Sequence, residues 1–498
     1  TIFLLYNLVV YYKVEHNIFL NFMSEVIKPN IIFIVLDSAR RDLFGSYGNK
    51  KSLTPFIDSL EKESLVMMDH YASGCGSAQA HVSLFLGQHS VRHGVVHNMS
   101  EMADSVIALP TLLSKNGYKN FGHCMASFIP PAGYEDKFGF DEFHYPGKQG
   151  IKSSNSLRGK LIEILKKFPK IWGISKNIYT SIQGIEGYTR AAARSLDGKI
   201  SLNYLYEKIK NNKDSPVFAY TTLLHPHTPY SPPQWCLDKV FCGKSIDKKA
   251  FEIQKDMHAW VNGDLGNVDS ALSDLKMLYE AEMVYADHLL KEFVEKLKVE
   301  GLFENTILII TSDHGELFGE HGQLNHGATV WEEIYRLPLF IHSPNFFPKG
   351  KRYNGLSSGL DIVPTILDLV GALNNSVSET NFDGVSLMKD PNLARFLVVD
   401  APPMVLPERL KKYPNVIAKG SIFFRAIRTG KYKYLWQSNG QRFLFDNFDN
   451  ESSDASILIK NQELADQLHD TMIDYYISID SNFDINTYPI NMGATAAK

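Results

Sequence analysis

Two short apolar runs, each followed by an aspartate, stand out in the pattern of hydrophobic and polar positions along the chain. The first is NIIFIVL at Asn30–Leu36, followed by Asp37, and the second is TILII at residues 306–310, followed after two polar residues by Asp313. Uninterrupted apolar runs of this length predict strands that are buried on both faces of a parallel sheet. Because parallel strands end at one edge, we expect both aspartates at the edge where open α/β sheets carry their chemistry.

The remaining pattern predicts helices around these strands. Thr54 and Pro55 begin a short helix, and the stretch from Ser77 to Gly87 predicts another helix, which the glycine ends. Residues 275–302 have the apolar spacing of a long amphipathic helix, whereas residues 251–275 are interpreted as a mobile insertion. Strand-like pieces between 396 and 445, followed by a helix, predict a small antiparallel sheet packed on the large domain.

The composition is that of an ordinary globular protein of 498 residues, with 44% hydrophobic and 21% charged positions. A net charge of −4 gives no overall excess of basic residues, so nucleic acid is not an expected partner. Four scattered cysteines form neither a disulfide framework nor a metal knuckle. The apolar residues 1–12 are too few to cross a bilayer and lack a cleavage site, so a cytoplasmic location is expected. Met23 offers an alternative start, which leaves open whether residues 1–22 belong to the natural protein.

Residues 148–176 carry eight basic residues against one acidic residue, with apolar side chains between them. One interpretation is a segment that makes weak contact with an anionic membrane surface or grips a polyanionic substrate. The other is a solvated helix that covers the domain, which is the more common fate of such a stretch.

Candidate chemistry lies in the polar residues that follow the second run. Asp313 and His314 are adjacent, and His326 follows a glycine-rich loop; together they offer the oxygen and nitrogen ligands of a divalent metal. Ser77 stands at the start of a predicted helix, where the helix dipole favours an alkoxide and an incoming anion. For Ser77 the alternative is a simple helix cap, and for an isolated Asp-His pair it is a solvated turn.

An ordered set of motifs makes the case more specific. The motifs are Asp37 after a strand, the loop ending in Ser77 with His81 and SLFLG behind it, HSVRHGV, GFDEF from Gly139, HPHTPY from His225, SDHG from Ser312, RLPL from Arg336, LDIVPTILDLVGA and AIRTGKYKYL. In this order the chain resembles the sulfatases of the alkaline phosphatase superfamily, over about residues 30–475. The resemblance implies an α/β fold with a large mixed, mostly parallel sheet sandwiched by helices, and a small C-terminal α+β subdomain.

The same resemblance implies a division of the chain. The expected parts are an N-terminal tail at 1–28, a catalytic domain at 29–385 with insertions at about 148–195 and 235–275, and a C-terminal antiparallel-sheet subdomain at 386–498.

Departures from the family pattern carry the functional information. Sulfatases make a formylglycine from Cys or Ser in the motif C/S-x-P/A-x-R, but residues 77–81 read SAQAH, and assigning Cys75 instead moves the following helix two residues out of register. An unmodified Ser77 is therefore the expected nucleophile. The usual paired aspartates are reduced to Asp37 and Ser38, and the lysine that contacts sulfate is replaced by His326. With each of these replacements, the site more closely resembles that of the phosphoryl-transfer members of the superfamily.

The resemblance implies the following roles: catalytic, Ser77, His227 and His326; substrate-binding, His81 and His225; metal-binding, Asp37, Ser77, Asp313 and His314. A divalent metal ion is the expected cofactor. Zinc or manganese is favoured over calcium, which stays possible, because imidazole is a poor calcium ligand. If a second metal binds, His326 and His227 are its expected ligands.

The implied function is that of a metal-dependent hydrolase that cleaves phosphate, phosphonate or sulfate esters through Ser77. Small-molecule, glycan-linked and lipid-linked esters are all candidate substrates. Three alternatives stay open: a true sulfatase with Ser77 converted to formylglycine, a phosphoethanolamine- or glycerophosphate-type transferase, and a catalytically inactive binding member.

Overall fold

The structure is a computed structural model. It describes residues 28–97, 100, 102, 106–126, 129–145, 198–266, 268–326, 329–377, 380–389, 395–404, 410–446, 448 and 451–488. The basic segment at 148–176 and the whole predicted insertion at 148–195 lie outside the described residues, as does the tail up to residue 27.

Fifteen strands are present in the described residues. They are β1 Asn30–Leu36, β2 Ser64–Tyr71, β3 Lys119–Cys124, β4 Glu142–His144, β5 Val217–Leu223, β6 Thr306–Ser312, β7 Leu317–Phe318, β8 Leu324–Asn325, β9 Arg336–Leu337, β10 Leu339–His342, β11 Lys351–Ser358, β12 Leu397–Ala401, β13 Phe424–Arg428, β14 Lys433–Gln437 and β15 Arg442–Phe445.

The helices are α1 Pro55–Leu60, α2 Ser77–Leu86, α3 Ser90–His93, α4 Leu109–Ser114, α5 Glu135–Phe138, α6 at 198–210, α7 Gln234–Phe241, α8 Lys248–Lys255, α9 Met257–Asn262, α10 Asp269–Val299, α11 Glu332–Tyr335, α12 Ile362–Leu369, α13 Leu373–Val377, α14 Pro414–Gly420 and α15 Gln462–Ile479.

The central sheet is mixed and mostly parallel, with strand order β11-β2-β10-β6-β1-β5-β3-β4 and β9 paired to β2. Strand β1 lies between β5 and β6 and is parallel to both, while β10 is antiparallel to its neighbours. Leu36 is in register with Leu223 on one side and Ser312 on the other. The residues that follow β1, β5 and β6 therefore emerge together at one edge, as the two apolar runs predicted.

Helices cover both faces of this sheet because β1 is apolar on both. Ile32, Ile34 and Leu36 pack into a core with α1, α6, α7, α8 and α10. Ile31, Phe33 and Val35 pack into a second core with α2, α4 and α12. The predicted α/β fold with a sandwiched sheet is confirmed.

The region at 235–275, predicted as an insertion with a mobile part, contains helices α7, α8 and α9. Buried Cys236, Ala250 and Ile253 belong to the same core as the long helix α10. The structure differs from the expectation because these apolar residues have the spacing of short amphipathic helices, and the pattern was too brief to distinguish from a loop.

The C-terminal part forms a separate antiparallel sheet with order β12-β13-β14-β15, and α15 packs on it. One face contributes Phe424 and Leu435 to a core shared with Trp331 of the large domain. The other face packs through Ile427 against Met472 of α15. The predicted C-terminal α+β subdomain is confirmed, while its boundary near residue 386 stays a prediction. Among the described helices, none combines the length and apolar composition needed to cross a membrane.

Candidate active site

Asp37, Asp313 and His314, referred to below as the ligand trio, converge where β1 and β6 end. One ligand atom from each lies within 4.8 Å of the others, and all three side chains are buried. The sequence predicted these residues as metal ligands, and the parallel register of β1 and β6 brings them together.

The backbone around the trio fixes the orientation of the Asp313 carboxylate. Ser38 adopts a left-handed conformation, with φ of 67°. Its amide donates to Asp313 Oδ1 at 3.1 Å, and the amide of His314 donates to the same oxygen at 2.9 Å. The other oxygen, Oδ2, has no hydrogen-bond partner in the described part of the chain. A buried carboxylate oxygen without a donor is costly, and a cation would satisfy it.

His314 presents a nitrogen suited to a metal. Its Nδ1–H donates to Gly315 O at 3.0 Å, which leaves the Nε2 lone pair 3.4 Å from Asp313 Oδ2 and 3.9 Å from Asp37 Oδ1. Burial, above all, lowers the pKa of His314 to about 4, so the ring is neutral near pH 7. A neutral imidazole with its far nitrogen held by a carbonyl is the usual form of a histidine ligand. The trio therefore fits a divalent cation.

Ser77 joins the trio from helix α2. It is the first helical residue, its Oγ lies 3.1 Å from His314 Nε2, and the helix cap is Gly76. The alternative that Ser77 serves only as a cap finds no support, because its hydroxyl points to the trio instead of to the helix amides.

Cys75 occupies a different environment from Ser77. It packs with Tyr71 and Trp331 in the core under the C-terminal sheet. Burial raises the pKa of its thiol to about 12, so the thiol stays protonated at neutral pH. The alignment that places Ser77, and not Cys75, at the nucleophile position agrees with this geometry.

His81 lies one turn after Ser77 and uses both ring nitrogens within the protein. Nδ1 donates to Ser77 O at 2.7 Å and lies 3.7 Å from Asp313 Oδ2, while Nε2 accepts from Thr222 Oγ1 at 3.0 Å. Burial is the main reason that the pKa of His81 is lowered. These contacts suit a residue that holds Ser77 in place better than the predicted direct contact with substrate.

His326 and His227 lie beside the trio. The His326 ring stacks on His314 with centroids 4.2 Å apart, and the His227 ring lies 4.9 Å from His326. Nδ1 of His326 is 3.5 Å from Oε1 of the buried Glu316. Burial alone lowers the pKa of His326, but Glu316 outweighs it and raises the pKa. The two predicted catalytic histidines are thus brought together next to the metal ligands.

His225 makes its polar contact away from these histidines. Its Nδ1 lies 2.5 Å from Glu282 Oε2 on α10, and its ring meets Tyr285 edge-on at 5.1 Å. The side chain is buried, and Nε2 has no hydrogen-bond partner among the described residues. The contacts place His225 against α10, so its predicted role in binding substrate stays a prediction.

Two acidic residues at or near the site were not predicted. Glu316 follows His314 by two residues, and its position in the DHGE sequence was a usable signal. Glu282 lies on one face of α10 among apolar residues, and the sequence around it gives no such signal.

Comparisons with known proteins identify the family of this chain. The family model described as Sulfatase matches residues 29–372. An arylsulfatase of Clostridium perfringens is 24% identical over 488 residues, covering 89% of this chain and 92% of the relative. A choline-sulfatase of Rhizobium meliloti is 25% identical over 441 residues, covering 84% and 80%.

Solved structures share the fold. The phosphonate monoester hydrolase of Agrobacterium radiobacter superposes with a TM-score of 0.63 at 18% identity, covering 91% of this chain and 96% of that chain. A structure solved in complex with D-glucosamine-2-N,6-O-disulfate superposes with a TM-score of 0.65 at 16% identity, covering 91% and 99%.

The chain belongs to the sulfatase family. It is a hydrolase that acts on ester bonds, and its family generally uses a divalent metal ion.

Proposed function

We propose that this protein cleaves phosphate or phosphonate monoesters, or sulfate esters, through an unmodified Ser77. The observation that carries the proposal is the position of Ser77 Oγ, 3.1 Å from Nε2 of His314 within the ligand trio. A serine hydroxyl beside two carboxylates and an imidazole matches the nucleophile of a two-step transfer.

Asp37, Asp313 and His314 would hold the divalent cation, with Ser77 Oγ as a fourth ligand. The cation supplies positive charge that lowers the pKa of the serine hydroxyl and attracts the anionic ester. The nitrogen ligand favours zinc or manganese over calcium.

The reaction itself is carried out by side chains of the protein. Ser77 releases its hydroxyl proton to solvent and its Oγ forms a bond to phosphorus or sulfur; the ester bond breaks, and the leaving alkoxide takes a proton from His227 or His326. Water next attacks the bound group and gives a proton to that histidine, and Ser77 Oγ leaves and regains its proton from solvent. Glu316 favours the charged form of His326, and this supports a role for His326 in binding the nonbridging oxygens.

The relatives support two substrate classes. The names arylsulfatase and choline-sulfatase point to sulfate esters, while the phosphonate monoester hydrolase points to phosphonates. We place phosphate and phosphonate esters first because SAQAH at residues 77–81 lacks the residues of the formylglycine motif. A true sulfatase with modified Ser77 is the second candidate, favoured by the names of the relatives.

The decisive experiment replaces the nucleophile. Ser77→Ala is expected to lower kcat by roughly 10³-fold or more while metal stays bound, because three protein ligands remain. Turnover is measured on phosphate monoesters and diesters, a phosphonate monoester and sulfate esters, each with zinc, manganese and calcium. Metal content is measured by plasma mass spectrometry.

Ser59→Ala is the matched control, since Ser59 is exposed on α1. Wild-type rates in Ser77→Ala would end the proposal. Peptide mass spectrometry separates the two candidates, because formylglycine at position 77 is lighter than serine by two hydrogen atoms. Product analysis with an added acceptor alcohol tests the transferase alternative.

A further inference from the structure

A cavity at the sheet edge that carries the ligand trio is lined by three arginines. Its volume is about 200 Å³, and its walls are Arg40, Arg41, Asp42, Glu332, Glu333, Arg336 and Phe448. Residues 40–42 follow β1 and residues 332–336 precede β10, so the cavity opens at the same edge of the sheet as the trio.

The acidic residues of the cavity are already paired with other side chains. The contacts are Asp42 with Arg40 at 2.7 Å, Glu332 with Lys433 at 3.1 Å, and Glu333 with His321 at 3.2 Å. The cavity has equal numbers of arginines and acidic residues. It is not electrostatically neutral toward a ligand, because the carboxylates already bind other side chains.

Two of the arginines are also paired. Arg40 binds Asp42 and reaches Glu320 at 2.8 Å, and Arg336 lies 2.5 Å from Asp69. These contacts hold both guanidinium groups in place. Arg41 is the remaining arginine of the cavity.

Arg41 differs from the other two arginines. In the part of the chain that the structure describes, its guanidinium makes no hydrogen bond and no ion pair; its contact is with the Tyr47 ring, 4.9 Å from the centroid. Its Nε atom is buried without a partner. Burial and the neighbouring Arg336 lower the pKa of Arg41. A partly buried cation beside a like charge is unfavourable unless an anion joins them.

We propose that this cavity binds a tetrahedral oxyanion, sulfate or phosphate, with Arg41 as its principal ligand and Arg336 beside it. The fork of a guanidinium group matches two oxygens of such an anion, and the volume accommodates the ion with room for an attached group. The anion is either free in solution or a second anionic group of the ester substrate. The second source rests on the proposed function; the first does not.

The test compares wild-type protein with Arg41→Gln, using inorganic sulfate and phosphate as ligands in isothermal titration calorimetry. Wild type is expected to bind with one component that Arg41→Gln weakens roughly tenfold or more, as for loss of a charged hydrogen bond. Arg442→Gln on β15 is the control with the same change of net charge, at an arginine that pairs with Asp466 of α15. Unchanged binding in Arg41→Gln overturns the proposal.

Thermal unfolding is an independent test. A structural role and an anion-binding role of Arg41 predict changes of opposite sign in the melting temperature of Arg41→Gln. Without sulfate or phosphate, Arg41→Gln should melt at or above the wild-type temperature, because an uncompensated charge is removed. Adding either anion should raise the wild-type melting temperature more than that of the variant. Destabilisation of Arg41→Gln in anion-free buffer, with no loss of the anion effect, would make Arg41 a structural residue and overturn the proposal.

Kinetics distinguish the two sources. If the anion belongs to substrate, Arg41→Gln lowers kcat/KM for a disulfated or diphosphorylated ester and spares the monoanionic analogue. If the anion is free, both esters react as with wild type while calorimetry still loses one component. Because calorimetry needs no turnover, failure of the proposed function leaves the binding test intact.

Discussion

Two clusters of buried carboxylates differ in where their positive charge comes from. Under the C-terminal sheet, Glu332 and Glu451 share the buried Lys433, whose Nζ lies 3.1 Å from Glu332 Oε1 and 3.0 Å from Glu451 Oε2. In the ligand trio, Asp313 faces imidazoles, and within the described residues no lysine or arginine forms an ion pair with it. The cluster that contains Lys433 is structural, whereas Asp313, whose Oδ2 accepts no hydrogen bond within the described residues, is suited to bind a cation from solution.

The difference has consequences for stability. The Lys433 cluster acquires its cation as soon as the chain folds, and Lys433 ties the large domain to the C-terminal sheet through the Val330 carbonyl at 2.6 Å. The trio depends on a ligand, so its contribution should follow the metal concentration.

Removing the lysine should have the largest effect on stability. Lys433→Met removes the cation that binds both carboxylates and leaves Glu332 to the more distant Arg336 Nε at 4.0 Å, and we expect a loss of about 3–5 kcal/mol in the free energy of unfolding. Urea denaturation followed by circular dichroism measures it. Lys431→Met, two residues away and exposed, makes the same substitution and should leave stability close to that of wild type. Equal stability of the two variants would mean that Lys433 does not neutralise the cluster.

Metal should stabilise the protein through the trio alone. At a metal concentration about 100 times its Kd, wild type should gain about 2.7 kcal/mol in the free energy of unfolding, and a chelator should remove the gain. Asp313→Asn should abolish the gain together with activity, because it removes one carboxylate ligand.

Two controls locate that effect. Asp466→Asn changes an exposed carboxylate and should keep the full gain. Lys433→Met should keep it too, since the two clusters are separate. A metal-dependent gain in Asp313→Asn as large as in wild type would remove Asp313 from the site.

Much of the site could be predicted because its residues follow strong local patterns. Asp37 and Asp313 follow runs that are apolar on both faces. The parallel pairing of β1 and β6 then places both aspartates at one edge of the sheet. The helix at Ser77–Leu86 was predicted with its terminal Gly87, which has φ of 63° and ends the helix as expected.

The remaining features depend on contacts between distant parts of the chain. The 2.5 Å contact of His225 with Glu282 joins residues 57 positions apart, and nothing around Glu282 marks it as a partner. Arg41 resembles any basic residue after a strand, and only the fold places it beside Arg336 in one cavity. Local sequence cannot show which charges will be paired.

The pH dependence of the Lys433 cluster provides the smallest and most specific test. Burial above all, opposed by Lys433, raises the pKa of Glu451 from 4.5 to about 7. Between these values the folded protein binds more protons than the unfolded chain. Stability from this group is therefore present below about pH 4.5 and is lost as pH rises through about 7. The expected loss between pH 5 and pH 7 is about 2 kcal/mol.

Glu451→Gln should remove that slope, because glutamine stays neutral across the range. The measurement is a series of urea titrations of metal-free protein at several pH values, so that proton release by metal ligands does not contribute. The pH slope of the free energy of unfolding of the variant is subtracted from that of wild type. This subtraction removes the contributions of the other titrating groups. A wild-type slope that survives the substitution would assign the proton to a different group, and Lys433 would then neutralise Glu451 fully, as an ordinary buried ion pair.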